Sequence, residues 1–150
     1  MTKSGGENAI LEITIPGNPI AKMRPRFARR GKFIQTYNAQ ETEEGKFIAQ
    51  VLHQIGSGYK PIGGPMHVDF RFFMPRPKGH YGTGKNAGKI KESAPKWHTK
   101  KPDIDNLEKF VLDCLNEIVF NDDAQIISTT AGKEYAETPK TVIKIASLEN

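Results

Sequence analysis

Cysteine occurs once in these 150 residues, at Cys114. One thiol excludes an internal disulfide and any zinc site built on several cysteines. It falls inside a periodic apolar stretch, which reads as a small packing residue and not a nucleophile. The four histidines, His53, His67, His80 and His98, show no HExxH or comparable ligand spacing. No apolar run approaches the ~18 residues of a membrane span. The opening "MTKSGGENA" lacks the apolar core of a secretory signal, so residues 1–9 are expected to be a flexible tail. A phosphate-cradling glycine-rich loop is also missing, which argues against a small-molecule phosphohydrolase. What remains is one globular domain over residues 10–150. No membrane partner and no small-molecule cofactor are expected, and the setting is expected to be cytoplasmic.

Acid is absent from one segment and nearly so from another. Lys22, Arg24, Arg26, Arg29, Arg30 and Lys32 follow one another with no Asp or Glu among them. Arg76, Lys78, Lys85, Lys89, Lys91, Lys96, Lys100 and Lys101 face Glu92 alone. Net charge is +5. The acids gather in the first helix and around residues 103–123. Two basic segments bracketing an acidic centre suit a polyanionic partner. Lys22, Arg24 and Arg26 alternate, so an extended stretch points them to one side. Lys78, Lys85, Lys89, Lys96, Lys100 and Lys101 belong to a long polar loop, expected to be mobile, that closes over a nucleic-acid arm. Tyr81 and Trp97 are candidates to stack on opened bases.

The periodicities predict an α+β fold: a mixed sheet and two helices in the order β-α-β-(long basic loop)-α-β-β. "ILEITIP" alternates as a half-buried strand, and "GNPIAKMRPRFARRGKF" reads as irregular. A first helix carries Phe47, Ile48, Val51, Leu52 and Ile55 on one face. "MHVDFRFFM" is the clearest strand, with Met66, Val68, Phe70, Phe72 and Met74 on one side. A second helix sets Ile104, Leu107, Val111, Leu115 and Ile118 in one stripe. "IISTTAGKE" and "KTVIKIASL" close the chain as two strands, read as a hairpin.

The chemistry concentrates in "KPDIDNLEKFVLDCLNEIVFNDDAQI". Asp105 with Glu108 fits a helix cap, and Asp105 with Lys109 an i,i+4 pair. Capping accounts for neither Asp103 nor the Asp122–Asp123 pair. Residues two apart in an extended segment face one side, so Asp103 and Asp105 can offer hard oxygens to one Mg²⁺. An EF-hand is excluded, because Glu108 and Cys114 stand where its glycine and glutamate belong.

This stretch resembles the signature of the RusA family of Holliday-junction resolvases: K-P-D-x-D-N-x-x-K, an apolar helix, then D-D-x-Q. "IPGNPIAKMRPRF" and "PRPKGHYGTGKNAGK" are similar to earlier segments of that family. The helix ends "CLNE" where many members have "ALNG", a change expected to be tolerated. The resemblance implies a RusA-like fold and a homodimeric, Mg²⁺-dependent endonuclease, with Mn²⁺ able to substitute. Its partner would be four-way junction DNA, cut by paired nicks that leave 5′-phosphates. It implies metal-binding catalytic aspartates at Asp103, Asp105 and Asp123, with Asp122 able to exchange roles with Asp123. It also implies an assisting Lys109 and a polar Asn106 beside the second aspartate on the DNA side. Two other readings stay open: a DNA-binding protein without catalysis, and a nuclease of broader branched-DNA specificity.

Overall fold

The computed structural model describes residues 7–23, 26–30, 33–37 and 40–148, and side chains over the same ranges except 7–10, 26–30 and 33–37. The elements are β1 (Glu7–Pro16), β2 (Arg26–Arg30), β3 (Phe33–Tyr37), α1 (Glu41–Ile55), β4 (Met66–Pro75), α2 (Ile104–Leu115), β5 (Ile126–Ala136) and β6 (Lys140–Leu148). The fold is α+β as expected, with a four-stranded mixed sheet in the order β1-β6-β4-β5. β2 and β3 form a separate antiparallel pair inside the segment expected to be irregular. β1 starts at Glu7, where its backbone already pairs with Leu148, and not at Ile10.

The closing hairpin is not there. β6 pairs antiparallel with both β1 and β4, while β5 runs parallel to β4 on its other side. β4 thus lies between the two strands expected to pair. The reason is burial: Met66, Val68, Phe70, Phe72 and Met74 are all buried, and so apolar a strand takes the centre of the sheet. Full burial of one such side chain contributes about 1.5–3 kcal/mol.

Both helices cover the same sheet face. Phe47 and Val51 of α1 and Leu107, Phe110, Val111, Cys114 and Leu115 of α2 join Ile13, Ile15, Ile143 and Ile145 in one core. Phe47 and Phe110 meet edge to face, with centroids 5.6 Å apart. Leu52, expected on the buried face of α1, is instead exposed. Burial pushes the Cys114 thiol up to about 12, which suits its packing role.

α2 stops at Leu115, so Ile118 lies beyond it. Asn116 (φ −60°, ψ 133°) and Glu117 (φ 68°) form a turn closed by Ile118 N–H donating to Leu115 O at 3.1 Å. These angles are those of a type II turn, whose third residue favours glycine. The family's glycine in "ALNG" falls at Glu117, so the departure noted above sits in left-handed backbone.

The long basic loop is tied down along its length. Gly82 N–H donates to Lys89 O (2.8 Å), Lys91 N–H to His80 O (2.9 Å) and Tyr135 N–H to Lys96 O (2.9 Å). A Cβ at Gly82 would lie 2.7 Å from the Asn86 Cβ, so only glycine fits that crossing. Arg76 Nη1 donates to Pro95 O (2.8 Å), and its guanidinium lies over the Tyr135 ring. The reading of this loop as mobile gives way to a strap bonded to β5.

Candidate active site

α2 carries the acids at its two ends. Its N-cap is Asp103 and not Asp105, and no side-chain capping bond forms there. Asp103 therefore keeps its carboxylate for other partners, and Lys101 Nζ sits 3.0 Å from it. Asp105 lies in the first helical turn, not in an extended segment, and its Oδ1 accepts from Asn106 N–H at 2.9 Å. Lys109 Nζ stands 4.0 Å from Asp105, and both side chains are exposed. Such a pair is worth a few tenths of a kcal/mol. The backbone carbonyl of Asn106 accepts from Lys22 N–H, which docks the first basic segment on α2.

A concave site of about 650 Å³ opens beside Asp103, lined by His98, Thr99, Lys100, Lys101, Ile104 and Lys133. Lys133 was missed in the sequence, where a single lysine on a strand gives no signal. Its Nζ donates to the carbonyls of Lys100 and Pro102, both at 2.8 Å, and so shapes the approach to Asp103. Burial, followed by the Lys133 charge, holds the His98 imidazole below its ordinary value. Glu108, read only as a capping partner, has its carboxyl pushed up by burial and then by Asp105, and it contacts Thr129 of β5.

The second acid pair has a different setting. Asp122 caps the short turn Asp123–Gln125: its side chain accepts from Ala124 N–H at 3.0 Å, and Gln125 Oε1 accepts from Asp122 N–H at 2.7 Å. Gln125 Nε2 also donates to the Ile62 and Gly64 carbonyls. The glutamine of D-D-x-Q thus locks the turn in place. Asp123 N–H donates to Asn116 Oδ1 at 3.1 Å, which ties the turn to the far end of α2. The Ala124 N–H and a hydrogen bond to Asp123 hold Asp122 low, and the same shared bond pushes Asp123 up. Asp113 adds to the negative field on Asp123.

The two pairs do not converge. From Asp105 to Asn116 a helix rises about 16 Å, whereas two carboxylates on one Mg²⁺ lie within about 4 Å of each other. Among the described residues no group of three or more His, Cys, Asp or Glu side chains is placed to hold a metal ion. Asp103 and Asp105 are donors of the right type for Mg²⁺, which commonly takes one or two carboxylates and completes its shell with water and phosphate oxygens. The third carboxylate of the sequence reading is out of reach within one chain.

The basic residues divide. Lys78, Lys85, Lys89, Lys96, Lys100 and Lys101 are all exposed along the strap. Trp97 is 54% exposed, with Lys96 Nζ 4.7 Å from its ring centroid. Tyr81 is half-buried. Lys22 is held by Asp113 at 2.9 Å and Glu44 at 3.1 Å, bridging the two helices, and these partners raise its pKa. A phosphate would have to compete with both acids for it. Arg24 lies outside the described residues, as do the side chains of Arg26, Arg29 and Arg30.

The model of the family Endodeoxyribonuclease RusA matches residues 16–146, a span that holds both acid pairs and the strap. The chain belongs to the RusA family. It is also 32% identical over 142 residues to an uncharacterized protein, YqaN, of Bacillus subtilis (strain 168), covering 90% of this chain and 94% of that one. Membership implies a nuclease of the Holliday-junction type and accounts for the K-P-D-x-D-N-x-x-K run at the start of α2. No helix among the described residues is long and apolar enough to cross a membrane.

Proposed function

We propose that this RusA-family protein is a Mg²⁺-dependent endonuclease that resolves four-way DNA junctions by paired nicks, working as a homodimer in the cytoplasm. The observation that carries this reading is the exposed carboxylate of Asp103 in the wall of a lysine-lined concavity, with exposed Asp105 two residues further along the chain. A carboxylate pair repels a phosphodiester on its own. Lys100, Lys101 and Lys133 around it, and the N-terminal end of α2, favour one. Asp103 and Asp105 would hold the cation, which when bound supplies Lewis-acid charge and lowers the pKa of a water. Lys109, one turn along α2 and 4.0 Å from Asp105, would neutralise charge building on the phosphoryl oxygens. The exposed lysines of the strap bind backbone phosphates, and Trp97 offers a stacking face to a base at the crossover. Asn106 positions the loop that carries Lys22. The products are 5′-phosphate and 3′-hydroxyl ends.

The test compares cleavage of a four-way junction with linear duplex of the same sequence, with and without Mg²⁺ or Mn²⁺. Junction-selective, metal-dependent nicking is expected. Equal cutting of duplex points to a nuclease of broader specificity. A second reading, a junction-binding protein without catalysis, is favoured by the separation of the acid pairs within one chain. Tight junction binding with no cleavage in either metal would establish it.

A further inference from the structure

One core-facing position of β5 carries a lysine. Lys133 pairs in register with the buried Phe72 and lies two residues before the buried Tyr135, so its side chain leaves the sheet on the helix side. β5 runs antiparallel to α2: Glu108 contacts Thr129, and Pro102, just ahead of the helix, accepts from Lys133. Lys133 is half-buried, and its ammonium ends on two backbone carbonyls, Lys100 O and Pro102 O, each at 2.8 Å. A half-buried ammonium needs such acceptors to offset its lost hydration. Lys101 has the opposite setting. Its side chain is 86% exposed, and its Nζ reaches the Asp103 carboxylate directly at 3.0 Å.

The two carbonyls bracket Lys101, and the second belongs to the peptide bond that leads into Asp103. No capping bond fixes the Asp103 carboxylate. Its backbone is instead held from both sides: ahead by the Lys133 bonds, behind by its own carbonyl, which accepts from Leu107 N–H at 3.3 Å. The main chain of Lys133 holds the strap as well, since its carbonyl accepts from His98 N–H at 3.2 Å. One residue of β5 thus ties both ends of the segment 98–102. We propose that Lys133 is a positioning residue for the metal site: it sets the direction of Asp103 through the Pro102 carbonyl. The two lysines beside Asp103 then act with opposite sign. Lys101 competes with a divalent cation for the Asp103 oxygens, so its removal strengthens metal binding. Charge alone would make the removal of Lys133 favour the cation too. Because its bonds hold Asp103 in place, its removal weakens the metal instead. Such outer-shell partners of metal ligands are worth about 10–100-fold in affinity or activity.

The proposal rests on the metal-dependent nuclease reading, and its test separates the two. The probe is Mn²⁺, titrated against the DNA-free protein by electron paramagnetic resonance and, separately, into junction cleavage. Lys133→Met keeps the aliphatic stem and removes both bonds. It should raise the half-saturating Mn²⁺ concentration about 10–100-fold in both measurements. Lys101→Met should lower it, by up to about fivefold. Lys133→Arg still has donors for two carbonyls and should recover part of the Lys133→Met loss. Half-saturation in Lys133→Met at or below the wild-type value overturns the proposal, because charge alone predicts that result. Should Lys133→Met lack a cooperative melting transition, Lys133→Gln, neutral and one bond shorter, decides by the same sign. A wild type that binds Mn²⁺ but never cleaves refutes the nuclease reading, and the DNA-free titration still judges Lys133. A wild type that neither binds Mn²⁺ nor cleaves overturns both.

Discussion

The two ends of α2 carry the same chemistry in opposite surroundings. Asp103 and Asp105 stand near Lys100, Lys101, Lys109 and Lys133, no side-chain cap forms on the helix start, and Asp105 accepts from Asn106 N–H. Asp122 and Asp123 lie near Asp113, and backbone N–H groups, Asn116 and Gln125 hold their turn. The first pair is balanced by lysine side chains and is exposed to a ligand. The second is fixed in direction by its turn and has no ion-pair partner among the described residues. An acid pair with surplus negative field gains most from a cation brought by something else.

The largest effect should separate the ends by function. Asp103→Asn and Asp123→Asn are each expected to lower cleavage by at least about 10³-fold, in line with loss of metal-held charge stabilisation. Junction binding should be unchanged or tighter, since each change removes negative charge from a phosphate-facing surface. Full activity in the Asp123 variant would leave the C-terminal pair purely structural and dissolve the comparison.

Lys109 tests the lysine-rich end. As a member of an exposed i,i+4 pair it contributes only tenths of a kcal/mol to stability. Acting on the phosphoryl group, its loss should slow single-turnover cleavage about 10²–10³-fold while the melting temperature hardly moves. A Lys109→Ala rate within about threefold of wild type would reduce it to a surface charge. Arginine keeps the charge with a different shape and reach, so partial rescue is expected.

At the C-terminal end, Glu117 holds φ 68°, where an L side chain costs about 1 kcal/mol. Glu117→Gly removes that cost but adds freedom to the unfolded chain. The expected gain is about 0.5 kcal/mol, or roughly 1–2 °C in melting temperature for a domain of this size. A lower melting temperature would mean that the Glu117 side chain makes a stabilising contact.

The smallest effect concerns the concavity. His98 has its pKa lowered from 6.5 by burial and by Lys133. Its neutral form is favoured in the fold, so the unfolded chain takes up the proton first. Stability should therefore fall as pH drops through about 6.5, and His98→Gln should flatten that limb of a melting-temperature profile. An unchanged slope in the variant would assign the acid limb to other groups.

Much of this was legible in the chain itself. The alternation from Met66 to Met74, the apolar stripe of α2 and the burial of Cys114 all follow from local periodicity, because side-chain direction is fixed by backbone geometry. The sequence motif also pointed to Asp103, Asp105, Asp122 and Asp123 as the acids to look for at the two ends of α2. Tertiary structure decided what periodicity does not encode. Whether β5 pairs with β6 or flanks β4 depends on which strand needs burial on both edges, a competition among distant segments. β2 and β3 went unseen because Pro19 and Pro25 ahead of them made the segment read as irregular. Lys133 and Glu108 join the site only because β5 runs antiparallel to α2. The distance between Asp105 and Asp123 depends on α2 being straight and continuous. Eighteen positions of sequence suggest one cluster, but twelve residues of rigid helix hold its halves apart.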